Sequence, residues 1–255
     1  MNNNALLKMT SIALIVCIGA VSVGVAAART EEPAKSSQAV RFLALDSLDG
    51  LEIKAVSETG GEPVKVKADI ADYNGRRALH MLNDDSTLGS SGPSGGESLA
   101  IVKGTDFQDG TIEFDLAGMP RQGSNSQSRG FVGVAFRVQG DVEKFENFYL
   151  RFTNGRADDQ LRRNHSAQYS SFPDFPWSRL RKENPGVYES YVDIEEKAWT
   201  RIKIVVSGTK AKLYVNGADQ PCLVVNDLKL GESRGRVALW TGSDTESYFS
   251  NLRIQ

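Results

Sequence analysis

Apolar and polar residues alternate over short stretches through most of the chain beyond residue 40. Val64–Ile70 alternates valine and alanine with lysine and aspartate, and Arg201–Val206 has isoleucine or valine at every second position. A period of two residues is that of a β-strand with one buried face, since successive side chains point to opposite sides. Roughly thirteen such stretches, about 8–15 residues apart, and no helical period of ordinary length predict an all-β, two-sheet antiparallel sandwich.

The first 28 residues have the organisation of a secretory signal peptide. Lys8 supplies the positive end, Met9–Val25 is an uncharged apolar run, and Ala26–Ala28 provides a small-residue cleavage site. The alternative is an uncleaved membrane anchor, for which a run of 17 residues is short. We therefore expect a secreted or periplasmic protein with a linker at 29–40, one domain at 41–255 and no membrane span after cleavage.

The charge balance and the cysteine count limit the partners and cross-links of this domain. The chain carries 30 Lys and Arg residues against 32 Asp and Glu residues, a formal net charge of −2. This mild negative charge argues against nucleic acid as the main partner. Cys17 lies in the signal segment, so Cys222 is the only cysteine of the exported domain and no internal disulfide is expected.

Several stretches of the second half occur in an order that one fold family shares. They are Phe107–Leu116, Trp199–Gly208, Ala211–Gly217, Gly235–Leu239 and Tyr248–Ile254. Together they resemble strands of the concanavalin A-like lectin/glucanase jelly rolls, which include laminin G-like modules and 3-keto-disaccharide hydrolase-like domains. The resemblance implies a concanavalin A-like jelly-roll sandwich, here with a long irregular insert at Asn154–Tyr191. Because the shared residues serve packing, the resemblance is specific for fold and not for activity.

Alternation within the strands predicts one polar sheet face. Arg137, Tyr149 and Arg151 are expected to point away from the apolar side of their strands, and the small residues Gly133 and Ala135 leave space beside them. An aromatic ring, arginines and free space are the components of a carbohydrate groove. The alternative is a solvent-exposed face whose opposite charges pair across strands.

Glu113 and Asp115 are expected on a polar face of the same kind, on the strand Thr111–Leu116. Their spacing resembles the catalytic strand of family-16 glycoside hydrolases, which reads Glu-x-Asp-x-x-Glu or Glu-x-Asp-x-Glu. The third carboxylate position falls here on Gly118 or Ala117. A retaining hydrolase needs a nucleophile and a separate acid/base, so we do not expect that mechanism.

The insert is rich in charged and aromatic residues, and such loops on a rigid sheet are common binding sites. Its candidates for substrate binding are Arg156, Arg162, Gln168, Tyr169 and Trp177. Its candidates for proton transfer are His165 with Asp158 or Asp159. The alternative is an Ω-like loop that packs its aromatic residues onto the sandwich and pairs its arginines at the surface. No cofactor is predicted, and the only metal considered is Ca²⁺ at the two adjacent aspartates, a pair also common in plain turns.

Three functions are compatible with these features. The leading hypothesis is carbohydrate binding in a groove formed by Arg137, Tyr149 and Arg151 beneath the insert. The second is a sugar-active lyase or hydrolase resembling the 3-keto-disaccharide hydrolases, in which His165 transfers a proton and Arg151 and Arg162 hold an oxidised or anionic sugar. The third is a laminin G-like protein-interaction module with the insert as its contact surface.

Overall fold

A computed structural model of the chain describes residues 40–57, 65–84, 96–124 and 126–255. The predicted signal peptide at 1–28 and the predicted linker, apart from residue 40, lie outside the described residues. The described residues belong to one compact unit, Gln38–Gln255. Within them, no helix has the length and hydropathy needed to cross a membrane.

The described residues form mainly β-strands, as the alternation predicts. The strands are β1 (Arg41–Leu43), β2 (Leu51–Ser57), β3 (Lys65–Tyr73), β4 (Arg76–Asp84), β5 (Gly96–Val102), β6 (Gly110–Pro120), β7 (Phe131–Gln139), β8 (Lys144–Arg151), β9 (Ala167–Phe172), β10 (Glu189–Ser190), β11 (Thr200–Ser207), β12 (Lys210–Val215), β13 (Leu223–Val225), β14 (Arg236–Thr241) and β15 (Thr245–Ile254). Two short α-helices, α1 (Gln160–Arg163) and α2 (Trp177–Glu183), and a 3-10 turn at Phe152–Asn154 follow β8.

The strands form two antiparallel sheets. The first has the order β13-β12-β11-β6-β15-β4-β3, with β1 also paired to β15, and the second has the order β10-β9-β8-β7-β14-β5-β2. Consecutive strands such as β6 and β7, or β14 and β15, lie in different sheets. This crossing between sheets is the connectivity of a jelly roll. The predicted two-sheet antiparallel jelly-roll sandwich is confirmed.

The inner faces of the two sheets pack together to form the core. Phe114 from the first sheet and Phe136 and Phe148 from the second are all buried there. The rings of Phe136 and Phe148 stack with their centroids 6.1 Å apart. Burying one such side chain stabilises the fold by about 1.5–3 kcal/mol. The core therefore holds the two sheets in place, and the outer faces can carry polar residues.

The predicted irregular insert is partly regular. Its strand β9 pairs antiparallel with β8, and the short β10 pairs with β9 at the sheet edge. Tyr169 lies directly opposite Phe148 in this register, so its ring enters the core and is fully buried. The predicted substrate-binding role of Tyr169 is wrong for this reason, since its side chain is on the inner face.

A β-bulge changes the predicted orientation of Arg137. The register of β7 against β8 shifts at this point, and Arg137 has a φ of 54°. Its fully buried guanidinium donates to the carbonyl oxygens of Gln108 (2.8 Å), Gly208 (2.7 Å) and Gly231 at one end of the sandwich. The prediction that Arg137 lines the groove is wrong, because a bulge adds one residue and inverts the alternation.

Arg137 shares this end of the core with a buried carboxylate. Glu146 is fully buried and accepts hydrogen bonds from the Tyr169 hydroxyl (2.6 Å) and the Leu230 N–H (2.8 Å). Burial raises the pKa of Glu146, and these hydrogen bonds and the charge of Arg137 oppose the rise only in part. Burial likewise raises the pKa of Tyr169. The network joins the loop between β13 and β14 to the second sheet.

Replacing Glu146 by Gln should make the stability of the protein less dependent on pH. A carboxyl whose pKa is higher in the folded than in the unfolded state binds its proton more tightly when folded, so the wild type loses stability as the pH rises through the folded-state pKa. Gln resembles the protonated carboxyl and removes this loss, which is about 1.4 kcal/mol per unit of pKa difference. Urea denaturation from about pH 4 to 8 should show the variant gaining stability relative to the wild type. The opposite trend would mean that the fold stabilises the ionised carboxylate.

Candidate functional site

A row of directly paired residues crosses the outer face of the second sheet. Gly133 on β7 lies opposite Tyr149 on β8, Tyr149 lies opposite Gln168 on β9, and Gln168 lies opposite Glu189 on β10. Directly opposite residues of neighbouring strands point to the same face of a sheet. Cross-strand pairing therefore gathers a phenol, an amide and a carboxylate from distant parts of the chain.

The missing side chain at Gly133 lets Tyr149 lie close against β7. A Cβ atom added at Gly133 would be 2.0 Å from the carbonyl oxygen of Phe148 and 2.6 Å from the Cα of Tyr149. The Tyr149 ring packs against Trp240 and Phe131, with centroid distances of 4.9 and 6.3 Å. These rings form the apolar floor of the site.

Arg151 is a buried cation at the end of β8. Its side chain donates to the carbonyl oxygen of His165 (2.9 Å), the hydroxyl of Tyr149 (3.1 Å) and Oε1 of Gln168 (3.1 Å), all neutral acceptors. The guanidinium carbon also lies within 6.0 Å of three aromatic ring centroids, those of Phe131, Tyr149 and Trp177. Only 5 % of the residue is exposed, and this burial lowers the pKa of Arg151.

Helix α2 adds two side chains to this cluster. Leu180 is fully buried and anchors the helix to the core. Trp177 and Arg181 are four residues apart and therefore neighbours on one helix face, and the guanidinium carbon of Arg181 lies 4.6 Å from the Trp177 ring centroid. The Trp177 residue is 42 % exposed, so its indole is the aromatic ring of the cluster that solvent reaches most.

Glu189 connects α2 to the strand edge. Its buried carboxylate accepts hydrogen bonds from Nε and a terminal nitrogen of Arg181, at 3.0 and 2.7 Å. The same carboxylate lies 2.9 Å from Nδ1 of His165, at ion-pair distance but without the alignment of a hydrogen bond. Burial lowers the pKa of His165; Glu189 opposes this effect, and the charges of Arg181 and Arg151 add to it. The lowered pKa favours the neutral form of the imidazole.

We call this cluster the arginine site and define it by eight residues: Phe131, Tyr149, Arg151, His165, Gln168, Trp177, Arg181 and Glu189. Five of them are residues singled out from the sequence: Tyr149, Arg151, His165, Gln168 and Trp177. The structure brings these five together, and their roles in binding or catalysis stay predictions.

The carboxylates predicted to act with His165 lie elsewhere. Asp159 accepts a hydrogen bond from the backbone N–H of Arg162 (2.9 Å) and caps α1, and Asp158 beside it is exposed. A short acidic side chain before a helix satisfies an otherwise free N–H group. The predicted partnership of His165 with Asp158 or Asp159 is therefore wrong, and Glu189 is the carboxylate in contact with His165. Within the described residues, no group of three or more His, Cys, Asp or Glu side chains is arranged to hold a metal ion.

Two predicted binding arginines, Arg162 and Arg156, lie outside the arginine site and contact loop residues. Arg162 donates to the carbonyl and hydroxyl oxygens of Thr153, both at 3.2 Å. Arg156 is exposed and forms ion pairs with Asp193 (3.0 Å) and Glu195 (2.7 Å). Among the described residues, neither of these side chains donates a hydrogen bond to a residue of the arginine site. Arg156 therefore forms the surface ion pairs that the alternative interpretation of the insert, an Ω-like loop, predicts.

Glu113 and Asp115 do not share a face with the arginine site, because β6 belongs to the first sheet. Asp115 is buried and accepts hydrogen bonds from Arg76 (2.8 Å) and Asn251 (2.9 Å). Arg201, directly opposite on β11, adds a longer contact of 3.4 Å. On this sheet, opposite charges pair across strands, which is the alternative considered for the polar face.

Sequence reasoning missed three members of the arginine site. Arg181 has a local signal, its four-residue spacing from Trp177 in a stretch that follows Pro176. Phe131 is not among the residues that the sequence analysis places on this face. No local sequence pattern identifies Glu189 as a site residue. Its position depends on the pairing of β10 with β9, and β9 lies in the segment that the sequence analysis predicts to be irregular.

No protein-family model and no curated protein matches the chain. Among solved structures, it is similar to the carbohydrate-binding module CBM66 from Bacillus subtilis, at 15% identity and a TM-score of 0.48, with 75% of this chain and 96% of that chain covered. It is similar to the Bacillus licheniformis β-glucanase, at 11% identity and a TM-score of 0.49, with 86% and 99% covered. It is also similar to the Caenorhabditis elegans galectin LEC-6, at 10% identity and a TM-score of 0.37, with 59% and 89% covered.

These similarities concern the fold alone. The chain is a two-sheet antiparallel jelly roll, and this description follows from its own strand order. At such low identities and TM-scores, the matched structures carry no argument about what this chain binds. That argument has to come from the arginine site.

Proposed function

We propose that this chain binds a carbohydrate at the arginine site. The observation that carries the proposal is the exposed indole of Trp177 beside the guanidinium groups of Arg151 and Arg181. A sugar presents an apolar C–H face and a rim of hydroxyl groups. The indole provides apolar area for the first, and the planar N–H donors and the Glu189 carboxylate provide hydrogen bonds for the second.

The rigidity of the arginine site supports the same proposal. Three hydrogen bonds hold Arg151, and Glu189 holds Arg181 through both of its oxygens. Leu180 fixes α2 to the core. Side chains that are already ordered lose little conformational entropy when a ligand binds.

Export to the periplasm or the cell exterior belongs to this proposal. It is supported by the positively charged Lys8, the apolar run Met9–Val25 and the small residues Ala26–Ala28. A carbohydrate partner in that location would be a polysaccharide of a cell surface or of the surroundings.

Trp177→Ala should weaken binding of the recognised glycan by about tenfold to a hundredfold, since the loss of a stacking indole costs about 1.4–2.7 kcal/mol. Folding stability should change little, because the ring is substantially exposed. A glycan array would identify the ligand, and calorimetric titration of both proteins would measure the effect. Tyr214→Ala is the matched control, because Tyr214 lies on the outer face of the first sheet beside Lys203. Equal affinity of the Trp177 variant and the wild type would rule out this site.

The contact between His165 and Glu189 also favours a second function, proton transfer on a bound sugar. A neutral imidazole beside a carboxylate has the composition of a general base with an orienting partner. Arg151 and Arg181 lie close enough to lower the pKa of His165, and they would stabilise negative charge that develops on a substrate. A lyase or hydrolase acting on an oxidised or anionic sugar would use these groups.

The variant His165→Ala distinguishes the two functions. Glycan binding that survives His165→Ala, with no turnover by the wild type, would support a binding protein. Turnover of a keto-sugar or uronate that disappears in His165→Ala while binding remains would support the enzyme. If no glycan binds and a surface protein is captured instead, the laminin G-like interaction module would replace both functions.

A further inference from the structure

We infer that the bound glycan is acidic and that Arg151 and Arg181 receive its carboxylate or sulfate group. This inference rests on the proposed carbohydrate function and specifies the chemical class of the ligand. The arginine site has more positive than negative charge. Its most buried cation, Arg151, has no carboxylate within ion-pair distance among the described residues.

Arg151 is the buried cation without a carboxylate partner. Among the described residues, no carboxylate lies within ion-pair distance of its guanidinium, although only 5 % of the residue is exposed. Buried charges in proteins are nearly always paired, because removing an ion from water is costly. Three hydrogen bonds to neutral acceptors use three of its five N–H groups. A ligand anion would supply the missing charge.

The nearest carboxylate is already shared. Glu189 accepts two-pronged hydrogen bonds from Arg181 and also lies beside His165. Within the site, the one negative charge of Glu189 faces the two positive charges of Arg151 and Arg181. The site therefore retains an excess of one positive charge.

Further arginines increase this local excess. The pKa of Arg129 is lowered by burial and by the positive charges of Arg162 and Arg151, so each of those two guanidinium groups lies within electrostatic range of Arg129. Among the described residues, Arg129 donates to Ser126 and Ser128 carbonyl oxygens and to an amide, and not to a carboxylate. The whole chain is slightly acidic, with a formal net charge of −2, so the positive charge is a local property of this face.

The chemistry of the site fits an anion attached to a sugar ring. Arg151 and Arg181 each keep N–H groups that no acceptor among the described residues uses, and these can donate charge-assisted hydrogen bonds to a carboxylate or sulfate. Trp177 lies 5.6 Å from the Arg151 guanidinium carbon and 4.6 Å from that of Arg181. One sugar residue is large enough to cover the indole with its C–H face while its charged substituent reaches an arginine. Uronic acids and sulfated sugars both meet this description.

The test is calorimetric titration of the full exported domain with matched oligosaccharides. The panel contains oligomers of glucuronic and galacturonic acid, their carboxyl-reduced neutral counterparts, and sulfated forms of those neutral oligomers. We expect at least one acidic oligomer to bind about tenfold or more tightly than its neutral counterpart, with an affinity that falls as salt is added. Preference for the uronate or for the sulfated form would identify which anion the site accepts.

Substitutions in helix α2 test whether Arg181 binds the acidic group of the oligomer. Arg181→Gln should weaken binding of the acidic oligomer about tenfold and binding of its neutral counterpart far less. Arg179→Gln is the matched control, since Arg179 lies on the same helix and pairs with Glu183. Because Arg181→Gln leaves Glu189 without its main partner, Arg181→Lys provides a second variant that keeps the charge and loses the planar fork. It should bind the acidic oligomer more weakly than the wild type.

The outcomes distinguish this inference from the proposed function. If acidic and neutral oligomers bind equally and Trp177→Ala weakens both, carbohydrate binding stands and the acidic ligand is refuted. If no oligomer shows binding that depends on Trp177, both proposals fail. Acid-specific binding that Arg181→Gln and Arg181→Lys leave unchanged would refute the role of Arg181.

Discussion

Arg137→Met should lower the free energy of unfolding by about 3–5 kcal/mol, the cost of removing one partner from a buried charged network. The guanidinium is fully buried and holds the carbonyl oxygens of Gln108, Gly208 and Gly231. Met fills a similar volume but donates no hydrogen bond, so these oxygens lose their partner. The buried carboxylate of Glu146 also loses the nearby positive charge that favours its ionised form. Urea denaturation of both proteins at neutral pH measures the difference.

Arg201→Met is the matched control. Arg201 is exposed on the first sheet and contacts the buried Asp115 at 3.4 Å. Because Asp115 keeps Arg76 and Asn251 as closer partners, the loss of this long contact should cost about 1 kcal/mol or less. Where the Arg137 variant remains folded, its glycan affinity should equal that of the wild type, since Arg137 lies outside the arginine site. If an Arg137 variant were fully stable but no longer bound glycan, the result would support the groove position that simple alternation predicts for Arg137.

Gly133→Ala should destabilise the protein by about 3 kcal/mol, near the upper end of the usual cost of overpacking. The added methyl group would be 2.0 Å from the carbonyl oxygen of Phe148 and 2.7 Å from the Cβ of Tyr149. A clash with backbone cannot be relieved by a side-chain rotation, so β7 and β8 must separate. Tyr149 would then lose its close packing against Phe131 and Trp240, and glycan binding should weaken in the molecules that remain folded.

Gly186→Ala separates this clash from the ordinary effect of replacing a glycine. No atom lies within 4 Å of a Cβ added at Gly186, and its φ of 74° accounts for a cost of about 1–2 kcal/mol. Denaturation midpoints for both variants give the comparison. If Gly133→Ala is no less stable than Gly186→Ala, the close approach of Tyr149 to β7 is not a constraint on the fold.

Part of the arginine site could be predicted because it depends on local alternation. β8 has no bulge at Tyr149 or Arg151, so both side chains lie on the outer face, as the period of two requires. Trp177 was singled out as an aromatic residue in a proline-containing stretch, and the structure places it on α2 over this face. These residues were accessible to sequence reasoning because each is constrained by its immediate neighbours.

The sequence by itself determined the all-β class and the two-sheet sandwich, since alternating stretches must bury one face and the chain has no helical period to compete. It also determined on which side of β8 Tyr149 and Arg151 lie. Only the tertiary structure decided the direction of Arg137, because one bulged residue inverts a strand face without any local marker. Likewise, the contact of Glu189 with His165 and Arg181 depends on the pairing of β9 with β8 and β10. Strand pairing joins residues that are distant in the chain, so it is decided by the packing of the whole sandwich.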